Sequence, residues 1–342
     1  MTPMVSTTSG LSAKGEGLFV ASNATRYFYT VSYSGTKLYV TKVNLNTFTV
    51  AATLTLSPPS VGLYPGIVAD PNGKYIYVNS GASVTGFMFK ISLSSFTSTN
   101  SVSVDGSPSA MVIDSTGSYL YFDSSYTNGL NQITLSSFTV TATQGNTGLS
   151  STNLAIDPSN TYLYYGNVAG NGVSTSYVQR YSANSSFTYG GATSQSLWQE
   201  PTGSITGLQV DNTGSYVYSL GNRPSNQYIY KFPTSNFSTN SYGSLFISGA
   251  SSISSLVLDN TNTYGYVSDL GNGKIFKINL SNLTLNTSLA TPATSIKNVV
   301  IEPTGQYLYA QSSSSLYKIN LSTFTNVSSI SLTYPGLAAV IV

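Results

Sequence analysis

Short apolar runs such as Ala110-Met111-Val112-Ile113 and Ser255-Leu256-Val257-Leu258 end abruptly at an acidic residue and read as buried strands. After the acid come Pro, Ser, Asn or Thr and then a Gly or Asn, which is turn chemistry: the carboxylate accepts N–H groups and Gly or Asn tolerates positive φ. A Tyr-x-Tyr pair follows and places alternate residues on opposite faces of a second strand. The fullest version is Asp70-Pro71-Asn72-Gly73-Lys74-Tyr75-Ile76-Tyr77-Val78. Copies begin at Asp114, Asp157, Asp211, Asp259 and Glu302, and a worn copy, Ser22 to Tyr29, precedes them, making seven at steps of 43 to 54 residues. A second phrase follows each copy, as in Phe89-Lys90-Ile91-Ser92-Leu93-Ser94-Ser95-Phe96-Thr97, and reads as a third strand, a polar turn and a fourth strand. Its anchors, Phe48, Phe96, Phe138, Phe187, Phe237, Leu283 and Phe324, again number seven. The period and the count predict an all-β chain, a seven-bladed β-propeller with four antiparallel strands per blade.

The same pattern sets the boundaries. Residues 1–15 are Ser/Thr/Gly-rich, lack an apolar run of signal-peptide length, and read as a flexible lead-in. Residues 16–342 read as a single propeller domain, because a repeat architecture overrides the two or three domains that length alone suggests. Blade one is expected over Glu16 to Ser57, blade two to about Asp105 and blade three to about Gly145. Blade four is irregular and carries the single Trp, within Ser194-Gln195-Ser196-Leu197-Trp198-Gln199-Glu200-Pro201. Ring closure is overdetermined. The C-terminal Tyr334-Pro335-Gly336-Leu337-Ala338-Ala339-Val340-Ile341-Val342 copies the lead into an innermost strand, Tyr64-Pro65-Gly66-Ile67-Val68-Ala69, and Leu18-Phe19-Val20-Ala21 has the same claim on blade one. The expectation is that the C-terminal segment pairs within blade one, since an open edge at the seam would invite aggregation.

The alternation of Asp-Pro-x-Gly-x-Tyr-x-Tyr-Val with Lys-Ile-x-Leu-x-Thr-Phe-Thr resembles the YVTN-type β-propeller repeat over nearly the whole chain. It departs from that pattern at Tyr77-Val78-Asn79-Ser80, where the family has Tyr-Val-Thr-Asn. The resemblance implies a propeller; proteins of this architecture serve as surface-layer parts, adhesins, lectins and enzymes, so it does not imply one task.

Charge narrows the task. Only 7% of residues are charged, against about 25% in an average soluble protein. The net charge is +2 with no basic cluster, so no nucleic acid and no anionic membrane surface is expected as a partner. No segment approaches the run of about 18 apolar residues that a membrane span requires. Six of the eleven acids stand at the repeat's turn, and six of the thirteen bases, Lys42, Lys90, Arg180, Lys231, Lys277 and Lys318, stand on its third strand. With no His, nothing at its ordinary pKa titrates between about pH 5 and 8, which suits an acidic exterior. The dense ion-pair networks expected of an intracellular hyperthermophile protein are missing.

Chemistry is correspondingly scarce. Without His or Cys, neither a Ser-His-Asp nor a Cys-His arrangement can be built, and the metal patterns based on them fail. No Asp-x-Asp-x-Asp calcium run occurs. No cofactor is expected. Glycosidase chemistry needs two carboxylates about 5 to 10 Å apart; beyond the turn acids only Glu16, Asp105, Asp123, Glu200 and Asp269 remain. Asp123 and Asp269 follow the Tyr strands of blades three and six, which separates them around the ring. The repeated acid reads as a turn cap rather than a cation rim, and the recurring Tyr-x-Tyr as blade packing rather than sugar platforms.

Three functions fit. The first is a non-enzymatic extracellular module, a structural or receptor-binding part of a virus particle or cell surface, with a protein or glycan as partner and assembly into a larger complex. The composition is similar to extracellular and virion proteins of thermoacidophilic microbes. A surface composition starting at Met1 without an export signal suits a virion protein or a domain cut from a longer exported chain. The second is a lectin-like glycan binder using one face, where the second-to-third-strand loops and blade connections would gather Tyr64, Asp105, Asp123, Tyr126, Trp198, Glu200, Arg223 and Asp269. On the blander reading Trp198 fills apolar space between blades and Arg223 is a solvated loop charge. The third is an enzyme like the seven-bladed lactonases that the fold also resembles, for which the chain supplies few ionisable groups. Acceptor motifs for N-glycosylation occur at Asn23, Asn184, Asn236, Asn279, Asn282, Asn286, Asn320 and Asn326. Composition alone produces a similar number.

Overall fold

The structure, a computed structural model, describes residues 25–62, 65–80, 85–106, 108–124, 129–144, 150–168, 177–183, 204–223, 226–235, 242–334, 336 and 338–342. It is all-β, with seven antiparallel sheets arranged as the blades of a propeller. Blade two shows the unit: Ile67–Ala69 innermost, then Tyr75–Asn79, Thr85–Ser92 and Thr97–Asp105 at the rim. Six sheets have four strands; that of blade four shows three among the described residues, Ser150–Ile156, Tyr162–Val168 and Tyr177–Ser182.

The core is distributed over the joints between blades. Seven hydrophobic clusters are present, and each draws its members from two neighbouring blades, including one that joins blade seven to blade one through Tyr309, Leu316, Phe28 and Ile341. This follows from the strand pattern. The inner strands are buried on both faces, whereas the rim strands Thr97–Asp105 and Thr325–Ser331 are mostly exposed and rich in Ser and Thr.

Closure resolves the surplus of inner strands. Ala338–Ile341 pairs antiparallel with Tyr27–Ser34, in register Phe28 to Ile341 and Thr30 to Ala339. Val342 N and O complete two further bonds with Tyr27, at 3.0 and 2.9 Å. Blade one therefore takes its innermost strand from the other end of the chain, as the C-terminal pattern predicts. No turn links strands one and two in this blade, which explains why Ser22 stands where every other copy carries an acid. Leu18 to Ala21 lie outside the described residues. The last strand approaches so closely at Gly336 that a Cβ there would land on the Thr30 hydroxyl. Tyr39 and Tyr334 stack at 3.8 Å with an interplanar angle of 5° and pin the incoming segment. Arg26 and Glu302 add an ion pair at 3.8 Å across the same seam, the one ion pair among the described residues.

Candidate functional site

Most of the repeated polar residues bind one blade to the next. In each Tyr-x-Tyr pair the second ring is fully buried, as in Tyr29, Tyr77, Tyr218, Tyr266 and Tyr309. The first ring lies under the third-strand cation: Lys42, Lys90, Lys231, Lys277 and Lys318 place Nζ 3.9 to 4.2 Å from the centroids of Tyr27, Tyr75, Tyr216, Tyr264 and Tyr307. The cation also reaches the following blade. Lys231 Nζ donates to the Leu280 carbonyl at 2.7 Å, and Lys90 Nζ to Leu135 at 3.4 Å. That next blade returns a ring. Phe96, Phe138, Phe324 and Phe48 pack on Tyr29, Tyr77, Tyr266 and Tyr309 at 5.8 to 6.1 Å. To point inward these phenylalanines adopt the left-handed conformation, with φ of 51 to 54°. Burial raises the tyrosine pKa values, to about 12 for Tyr121 and Tyr164, and lowers those of Lys42, Lys231 and Lys277. The tyrosine pairs are blade packing, as the sequence reading had it.

Five of the six turn acids cap their own turns. Asp114 Oδ1 accepts from the N–H groups of Ser118 and Tyr119 at 2.8 and 3.0 Å, and Asp157, Asp211, Asp259 and Glu302 accept from backbone N–H groups at matching positions. In four of them a Ser or Thr two residues after the acid donates to the carboxylate as well. Asp70 is the exception. It has Asn72 at that place, and its Oδ1 accepts from Asn72 N and Nδ2 at 2.9 and 3.1 Å instead of from the following strand. The carboxylate turns toward the neighbouring blade, where a Cβ on Gly117 would sit 3.1 Å from Oδ1. There it lines an open cleft of about 340 Å³ between blades two and three, with Tyr75, Lys90, Ser118, Tyr119 and Ser136.

This cleft lies on the side opposite the loop face expected to carry recognition. Of the residues expected there, Tyr64, Tyr126, Trp198 and Glu200 lie outside the described residues. Asp105 is exposed at the end of its rim strand. Asp123 and Asp269 are fully buried, which corrects their assignment to a recognition surface. Asp269 accepts from Ser251 N and Oγ, Ser252 N and Gly271 N and so fixes its own loop; Asp123 accepts from the Tyr165 hydroxyl at 3.1 Å. Nor is Arg223 a solvated loop charge. Its guanidinium carbon lies 5.0 Å from the Tyr228 centroid, and Nη2 meets the Tyr230 hydroxyl at 3.5 Å. Among the described residues no group of three or more acidic side chains is placed to share a metal ion. Of the acceptor asparagines, Asn282, Asn286 and Asn326 are exposed, Asn279 and Asn320 are half-buried, and Asn23, Asn184 and Asn236 lie outside the described residues.

No protein-family model and no curated protein sequence matches the chain. Solved structures do. A functionally unknown protein from Desulfotomaculum acetoxidans aligns with a TM-score of 0.70 at 13% identity, over 92% of this chain and 98% of its own. A Bacteroides fragilis protein provisionally named a 6-phosphogluconolactonase aligns at 0.69 and 15% identity, over 94% and 99%. A hydrazine synthase chain from Kuenenia stuttgartiensis aligns at 0.67 and 13%, over 90% and 95%. The chain shares their fold. At these identities the likeness carries architecture alone.

Proposed function

We propose that this chain is a non-enzymatic extracellular propeller, a structural or receptor-binding part of a particle or cell surface that works within a larger assembly. The observation that carries the reading is the commitment of its few charges: five turn acids cap turns, the third-strand cations lie on tyrosine rings, and Asp123 and Asp269 are sealed inside the ring. A catalytic group needs access to substrate, and outside the cleft lined by Asp70 and Lys90 these groups are engaged in holding turns and blades together. The resemblance of the repeat to the YVTN type, and of the composition to extracellular and virion proteins, supports the same reading. The exposed acceptor asparagines Asn282, Asn286 and Asn326 suit a surface that meets glycosylation enzymes. Labelling of intact source cells and their particles with an antibody against the folded protein tests it. Label on the exterior is expected; protein found only in the cytosol, or lactone hydrolysis by the purified chain, overturns the proposal.

A further inference from the structure

We infer that the cleft between blades two and three binds a neutral sugar ring or similar polyol. This joint differs from its neighbours. At two other blade joints the neighbouring turns are stitched together by an Asn side chain at the fourth residue of the turn. Asn160 accepts from Ser115 N at 2.9 Å and donates to Ser115 Oγ at 2.8 Å, and Asn262 meets Asn212. Between blades two and three that place is held by Gly117, and Pro71 opposite has no N–H to give, as with Gly214 and Pro158 between blades four and five; what only this joint has is Asn72 in place of the Ser or Thr two residues after the turn acid. The joint is left open, and Asp70, held in its turn through Oδ1 alone, has Oδ2 with no donor among the described residues.

The lining then selects the ligand. Tyr119 and Leu135 supply an apolar wall, while the rim offers a carboxylate acceptor at Asp70, an ammonium donor at Lys90 and hydroxyls at Ser118, Thr134 and Ser136. Lys90 lies on the Tyr75 ring at 4.2 Å and makes one hydrogen bond, a long one of 3.4 Å to Leu135 O, so it can take a better acceptor without giving up a short one. One negative and one positive group face the same space, so a charged ligand gains little. A molecule with a C–H face to lay on a ring and several hydroxyls that both donate and accept satisfies every side. The volume falls at the small end of ligand pockets, which run from about 300 Å³ upward, and suits one or two sugar residues.

The test is calorimetric titration of the full chain with a panel of methyl glycosides of neutral hexoses and N-acetylhexosamines. Three variants accompany the wild type. Asp70→Ala removes the free acceptor. Gly117→Asn installs the residue used at the sister turns, which adopt the same left-handed backbone with φ of 58 and 55° at Asn160 and Asn262, and so fills the cleft without breaking the turn. Asp211→Ala disrupts an equivalent turn elsewhere. At least one glycoside is expected to bind, with affinity at least tenfold weaker in Asp70→Ala and Gly117→Asn and unchanged in Asp211→Ala. The Gly117→Asn melting temperature should match wild type; if it falls, Asp70→Ala alone decides. Failure of every glycoside to bind the wild type, or equal affinity across all four proteins, overturns the inference. Neither result bears on where the protein resides.

Discussion

Phe138 tests the idea that the chain accepts backbone strain in order to join its blades. The residue is 4% exposed, packs on Tyr77 of the preceding blade at 5.8 Å and has φ of 54°. Truncating a buried Phe to Ala costs about 3 to 5 kcal/mol, and Phe138→Ala keeps the left-handed backbone, which costs an L-residue roughly 1 to 2 kcal/mol. Phe138→Gly loses the same ring but escapes that cost. Elsewhere in a strand Gly is worse than Ala by about 0.5 to 1 kcal/mol because it has more freedom to lose. The strain term is the larger of the two, so Phe138→Gly should be more stable than Phe138→Ala by roughly 0.5 to 1 kcal/mol. Both should lie well below wild type. Leu120, fully buried on a regular strand, is the control: Leu120→Gly should be less stable than Leu120→Ala. Urea unfolding followed by tyrosine fluorescence gives the free energies, provided the slopes of the transitions agree. If Phe138→Gly falls below Phe138→Ala, the strain argument is refuted.

The other expectations concern the same joints. Lys231→Met should cost about 1 to 2 kcal/mol in the same assay, since it removes a cation–ring contact and the donor to Leu280 O; an unchanged midpoint would show the contact to be incidental. Deleting residues 338–342 uncovers the inner edge of Tyr27–Ser34 and removes buried Val340 and Ile341, each worth about 1.5 to 3 kcal/mol, so the truncated chain should aggregate by light scattering where the full chain stays monodisperse. Asp114→Ala should destabilise by roughly 1 to 3 kcal/mol, because it strands two backbone N–H groups, whereas Asp70→Ala strands one, that of Asn72, and should cost less. Alkali should unfold the protein. Buried tyrosines such as Tyr121 and Tyr164 hold their protons to about pH 12 in the fold, while the unfolded chain releases them near pH 10. Above pH 10 the folded state therefore binds more protons, and stability falls as pH rises through that window. The lowered lysine pKa values act in the opposite sense below it, where the unfolded chain holds the extra protons. Tyrosinate absorbance should appear together with unfolding; its gradual appearance in the native protein would contradict the burial argument.

The linear pattern determined the blade count, the strand order within a blade and the capping role of the acids, because each is a local matter: alternation, a turn and its cap span fewer than about ten residues. It also contained the clue to the cleft, since Asn72 stands where the other turns carry Ser or Thr, but only the folded ring places Asp70 and Asn72 against Gly117 of the next blade. The same limit applied to Asp123, Asp269 and Arg223. Their places near the end of the second strand were legible, while the burial of Asp123 and Asp269 and the ring contacts of Arg223 depended on neighbours such as Tyr165, Ser251 and Tyr228 that no spacing rule brings near. Closure was the tertiary structure's decision as well. Two segments had equal claims on blade one by pattern, and what separates them is that Ala338–Ile341 reaches Tyr27–Ser34 after the chain has gone once around, with Gly336 small enough to let it in.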